Sequence, residues 1–130
     1  MFKISPIQTE AEQTRVALAC GTVYRADHLA YAMADDGTGE VMGFSQFDIR
    51  GEVGYLSDLR EATGHDDYEA MFILGKATLS FLDQCGIKTV IAPVNAGKEQ
   101  LLVALGFRSY DSEKYTLDIS NMFGGHCSGH

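Results

Sequence analysis

The chain predicts an α/β domain on a mixed sheet, and three observations carry that expectation. From Val23 to Arg60 apolar residues alternate with smaller or polar ones, interrupted at Asp36-Gly37 and Arg50-Gly51, as in an antiparallel meander. From about Asp67 to Cys85, Ala70, Met71, Leu74, Ala77, Thr78, Phe81 and Leu82 recur every three or four residues, the stripe of a helix lying on a sheet. A short apolar run, Thr89-Val90-Ile91-Ala92, comes next. The helix therefore joins two strands, which makes them a parallel pair linked by a right-handed crossover.

Taken in order, Phe2-Lys3-Ile4-Ser5 is a short strand stopped by Pro6. Thr9 and Glu12 have capping-box spacing, and Val16, Ala17 and Cys20 give the following helix its apolar side before Gly21 ends it. The meander contributes three strands, with Leu29, Tyr31 and Met33 on one face of the first, then Val41 to Ile49, then Val53 to Leu59. Gly86 closes the long helix, and Lys88 to Val94 is the buried strand. Asn95 is placed to cap a second helix running from Ala96 to Leu105. Phe107–Tyr110 and Tyr115–Ile119 read as a closing hairpin around Asp111-Ser112-Glu113, and Gly, His, Ser and Cys dominate after Ser120, as in a mobile tail. The expectation is one domain over residues 1–120 and a tail over 121–130.

A chain of 130 residues can bury a single core, and 45% hydrophobic with 22% charged residues suits a globular domain. No apolar run is long enough to span a bilayer, and the first residues lack the features of a signal peptide, so the cytoplasm is the expected location. The net charge of −8, with no cluster of Lys or Arg, argues against nucleic acid and anionic membranes as partners. It suits a cationic partner such as an amine, although acidity also serves plain solubility. The three cysteines are expected to be free thiols, with Cys20 and Cys85 packing at helix ends.

The order strand, helix, three-stranded meander, helix, strand, helix, hairpin resembles the GNAT acyltransferase superfamily over about residues 2–119. Its most specific piece is the second helix, where Asn95, Leu101, Leu105, Gly106 and Phe107 fall in register with a family motif that runs from Asn to Leu-Gly-Phe. The resemblance implies acyl transfer from acetyl-CoA or another acyl-CoA to a small-molecule or protein amine, and it leaves a homodimer open. It places the pantetheine arm between the strand through Leu59 and the strand Lys88–Val94, beside Asn95, and the pyrophosphate near Asp66 to Met71.

The sequence departs from that pattern at two positions. The family's phosphate loop, Gln/Arg-x-x-Gly-x-Gly/Ala, meets Asp66, Glu69 and Met71 here, or Gly64, Asp67 and Glu69 if slid by two, so the motif is eroded. Asp66 with Glu69 reads instead as a helix cap and its reciprocal acid, with Asp67 adding charge. A diphosphate beside one such carboxylate, at about 5 Å and an effective dielectric near 20, loses roughly 3 kcal/mol, about a hundredfold in affinity. Lys98 is the candidate cation for it. The family's usual acid, a Tyr, aligns with Leu102, which leaves Tyr110 or Tyr115 of the hairpin as a substitute, and Asp58 or Glu61 at the strand end are candidates for the general base. These departures keep a second reading open, a binding or interaction module that no longer takes coenzyme A. In the tail, His126, Cys127 and His130 are soft-to-borderline ligands that suit zinc, beside the alternatives of an ordered tail packed without metal and of plain disorder.

Overall fold

The computed structural model describes residues 1–123, in the order β1 (Phe2–Pro6), α1 (Glu10–Ala19), β2 (Leu29–Asp35), β3 (Val41–Arg50), β4 (Val53–Glu61), α2 (Tyr68–Gln84), β5 (Thr89–Pro93), α3 (Glu99–Leu105), β6 (Arg108–Ser109) and β7 (Lys114–Asp118). The strands form one sheet in the order β1-β2-β3-β4-β5-β7-β6. Only β4 and β5 are parallel among these neighbours; the other five pairings are antiparallel. The expected α/β class and the crossover through the long helix are both present.

Each face of the sheet has its own apolar layer. On one, α1 is started by Thr9, whose hydroxyl accepts the Glu12 amide at 3.1 Å, and Val16, Ala17 and Cys20 pack on Ala30, Phe44 and Ala62. On the other, the stripe of α2 covers Met33, Phe47, Leu56 and Leu59, and α3 adds Leu101, Leu102 and Leu105. Tyr31 stacks on Phe47 at 5.9 Å, and Phe81 of α2 meets both rings edge-on, which fixes the helix against β2 and β3. No helix among the described residues is long and apolar enough to cross a membrane.

Four local expectations need correction. The meander begins at Leu29, not Val23, because residues 23–28 form a loop in which Asp27 takes a positive φ of 62°. The cap of α2 is Asp67, whose Oδ1 accepts the Ala70 amide at 3.0 Å, while Asp66 lies outside the helix. Asn95 does not cap α3. The Ala96 amide donates to the Pro93 carbonyl at 3.0 Å, so a tight turn fills this stretch and the helix starts at Glu99. Cys85 is exposed and does not pack as Cys20 does.

The parallel pair determines where a site can form. β4 and β5 pair only at Val53–Thr89, Gly54–Val90 and Tyr55–Ile91. Opposite β3, Gln46 faces Asp58 and Phe47 faces Leu56, so Ser57 is an extra residue, a β-bulge. A bulge bends its strand and increases local twist, and β4 leaves β5 directly after Tyr55. The next link is a single hydrogen bond from the Leu59 amide to the Ala96 carbonyl at 2.8 Å. Gly97 lies so close that a Cβ would fall on the Leu59 carbonyl oxygen. Gly97→Ala is therefore expected to destabilise the fold by roughly 2 kcal/mol, measured by urea denaturation, with far-UV circular dichroism unchanged.

Candidate functional site

A cleft of about 540 Å³ opens over the C-terminal end of β4. Leu59, Arg60 and Glu61 form its floor, Cys20 comes from the end of α1, Met71 from α2, and Asn95, Gly97 and Lys98 from the turn before α3. A smaller cleft beside it is lined by Glu61, Asp66, Tyr68, Met71, Lys98 and Gln100. Strand ends and helix starts converge here for the reason expected of a crossover unit: the first amides of a helix have no partner within it.

Beneath the cleft lies a buried polar network centred on Asp58, which has no accessible surface. Arg25 Nε donates to Oδ2 at 2.6 Å, Arg60 Nε to Oδ1 at 2.8 Å and Gln46 Nε2 to Oδ2 at 2.9 Å. Thr22 Oγ1 adds a bond to Oδ1 at 3.3 Å. Burial alone would raise this carboxyl, but the hydrogen bonds from Arg25, Arg60 and Gln46 outweigh it and hold the group below the usual carboxylate range. Gln46 Oε1 in turn accepts from Gln13 Nε2 at 2.8 Å and from the Arg25 amide at 2.9 Å. Arg60 reaches on to the Asn95 carbonyl at 2.6 Å. One carboxylate thus ties α1, the loop after it, β3, β4 and the turn before α3.

The sequence candidates fall in several places. Leu59, Asp66, Met71, Asn95 and Lys98 all border one cleft or the other. Asp58 lies under the floor with both oxygens engaged, whereas a free base would need one open. Glu61 lines the cleft, but its Oε2 accepts the Asp67 amide at 2.6 Å and its Oε1 accepts Lys98 Nζ at 3.1 Å. Lys98 Nζ also lies 3.7 Å from Asp66, and the Glu61 hydrogen bond and charge, with Asp66 behind, raise the ammonium above the usual lysine range. Tyr110 is 65% exposed and borders neither cleft; its ring faces Lys114 Nζ at 5.9 Å. Leu102, at the family's acid position, is wholly buried. Burial pushes the Cys20 thiol up to about 12, with Arg60 opposing and Asp58 adding, so it meets the cleft as a neutral thiol.

Sequence reading missed one pair. His28, in the loop before β2, places Nε2 2.8 Å from Ser57 Oγ and Nδ1 3.0 Å from the Ala26 carbonyl. The two residues are 29 positions apart, and no local motif marks them. The tail candidates His126, Cys127 and His130 lie outside the described residues. Among the described residues no three His, Cys, Asp or Glu side chains gather as a metal site.

No family model and no curated protein matches this sequence. Solved structures do. A ribosomal-protein alanine N-acetyltransferase from Escherichia coli superposes with a TM-score of 0.72 at 15% identity, over 92% of this chain and 95% of the other. The spermidine/spermine N-acetyltransferase of Vibrio cholerae gives 0.73 at 8% identity, over 97% and 99%. A GNAT family acetyltransferase from Brucella melitensis, solved in complex with acetyl-CoA, gives 0.68 at 14% identity, over 91% and 88%. The chain has the GNAT fold.

The Asp58 network has a pH signature. The folded pKa lies below the unfolded one, so the stabilisation is full above about pH 4 and is lost as pH falls through the folded value. Asp58→Asn is expected to cost roughly 2–3 kcal/mol at pH 7, at the lower end for a broken buried pair because the Arg25 and Arg60 side chains are 39% and 29% exposed and can rehydrate. It should also flatten the loss of stability below about pH 4. Urea titrations of both proteins between pH 3 and 7 measure the two effects.

Proposed function

We propose that this chain is an acyl-coenzyme-A-dependent N-acyltransferase whose acceptor is a small-molecule or protein amine. The observation that carries the reading is the parting of β4 from β5 after Tyr55, with the 540 Å³ cleft at the strand end and the starts of α2 and α3 around it. That is the geometry in which an extended thioester can enter between strands while its anionic end meets a helix start. The GNAT fold shared with acetyltransferases supports it.

The residues present fit such a donor. At the start of α2, Glu61 takes the Asp67 amide and Asp67 takes the Ala70 amide, which among the described residues leaves the Tyr68 and Glu69 amides for an anion. Lys98 stands beside them as the cation, and the nearby acids Glu61 and Asp66 are already engaged with it. Asp66 is 90% exposed in its side chain and is free to turn away into water. Bound acetyl-CoA supplies the activated acyl group; this chain supplies the cradle and the orientation of the acceptor.

A second reading rests on the turn before α3. The Leu59 amide is spent on the Ala96 carbonyl and Gly97 abuts the Leu59 carbonyl, so the edge of β4 is closed there to a ligand's backbone-like arm. On that reading the chain is a GNAT-fold binding module without coenzyme A. A calorimetric titration with acetyl-CoA separates the two. The transferase reading expects saturable binding, and stabilisation of about 2.7 kcal/mol at a hundred times Kd. Lys98→Ala should weaken binding roughly fivefold, the value of one exposed charge contact, and Asp66→Asn should tighten it. Absence of heat and of any thermal shift at millimolar acetyl-CoA overturns the reading in favour of the module.

A further inference from the structure

We propose that Ser57 and His28 form the relay that takes the proton from the acceptor amine, at the gap where β4 has left β5. The proposal rests on the acyl-transfer reading above. Three observations coincide at this point. The parallel ladder ends at Tyr55 and the next link is at Leu59, so Ser57 occupies the break between them. Ser57 is the extra residue of the bulge that bends the strand. Its hydroxyl is held by an imidazole delivered from a loop on another element.

The hydrogen bonds fix the direction of transfer. The Ala26 carbonyl can only accept, so His28 Nδ1 carries the proton and Nε2 presents its lone pair. Ser57 Oγ, 2.8 Å away, donates its proton to that lone pair and keeps its own lone pairs for a second donor. Both residues are half-buried, so the second donor can arrive from outside. The loop carrying His28 is not free to swing. The Arg25 amide bonds to Gln46 and the Arg25 guanidinium to Asp58, so the network below the cleft also aims the imidazole.

The other acid–base candidates are committed. Both oxygens of Asp58 and both of Glu61 hold structural hydrogen bonds, and Tyr110 follows the edge strand β6, two strands away from the break. Of the charged groups near His28, Asp48 of β3 interacts with it and is itself paired with Arg50 at 2.8 Å. Arg25 and Asp58 are paired with each other. Asp48 is therefore engaged with Arg50 and does not compete for Ser57.

In the reaction the amine nitrogen forms a bond to the acyl carbon and the thioester C–S bond breaks, releasing the thiolate. The N–H proton passes to Ser57 Oγ as the hydroxyl's own proton moves to His28 Nε2. The imidazolium then gives its proton to solvent, from which the thiolate is protonated, and the pair is restored. Ser57 touches the reacting amine, and His28 acts through it.

The test uses the full chain with labelled histidine. In the free protein, nitrogen NMR should show His28 as the Nδ1–H tautomer, and saturating acetyl-CoA should shift its Nε2 signal. Ser57→Ala and His28→Gln, each checked for an unchanged melting transition, should bind acetyl-CoA with Kd within twofold of wild type. Their transfer to spermidine, to lysine and to an alanyl peptide should fall about a hundredfold, and the rise of kcat/KM with pH seen in the wild type should vanish in His28→Gln. Acetyl-CoA binding that leaves the His28 signals unmoved, or variants that transfer at the wild-type rate, overturn the relay and leave the proposed function standing. Failure of acetyl-CoA to bind overturns both.

Discussion

A single buried carboxylate holds this fold in its working shape. Asp58 sits in the middle of the sheet, and a carboxylate there would cost several kcal/mol if left unpaired. Two guanidiniums and an amide surround it, and each comes from a different part of the chain: Arg25 from the loop after α1, Arg60 from β4 and Gln46 from β3. Burying one charge therefore requires all three to be in place at once. Replacement by apolar residues could match the stability, but it would not specify where that loop lies or where Arg60 points. Here the charge secures position more than free energy.

Position matters because the cleft is made by divergence. Were β4 straight, its ladder with β5 would continue past Tyr55 and leave no opening. The bulge at Ser57 ends the ladder, Asp58 immediately after it is anchored from below, and the Leu59–Ala96 bond limits how far the strands part. The start of α2 faces a competing demand. Its acids satisfy their own helix and the neighbouring lysine, which stabilises the helix start and weakens its attraction for an anion.

Much of this architecture is legible in the residues. Thr9 and Glu12 mark α1, the stripe from Ala70 to Leu82 marks α2, and the meander follows from alternation, because these signals depend on neighbours within one turn or one strand. The site was harder to read. Asn95 satisfies every local rule for a helix cap, yet the pull of Leu59 on the Ala96 carbonyl, a contact across 37 residues, turns the chain away first. Asp58 could have faced cleft or core, and the bulge that settles its parity is set by pairing with β3, not by the letters around it. The His28–Ser57 contact joins a loop to a strand with no intervening pattern at all. Side chains recruited from distant segments leave no periodic trace.

The uneven lengths of the ladders bear on how the chain assembles. β2, β3 and β4 are consecutive antiparallel neighbours joined by short loops, so their contacts form at little entropic cost. The parallel seam has three register pairs and waits for the whole of α2 to cross before β5 can dock. Only the edge pair β6–β7 is shorter, and the parallel seam lies between an early-forming half and a late one, which makes the mouth of the cleft the natural line along which the molecule breathes.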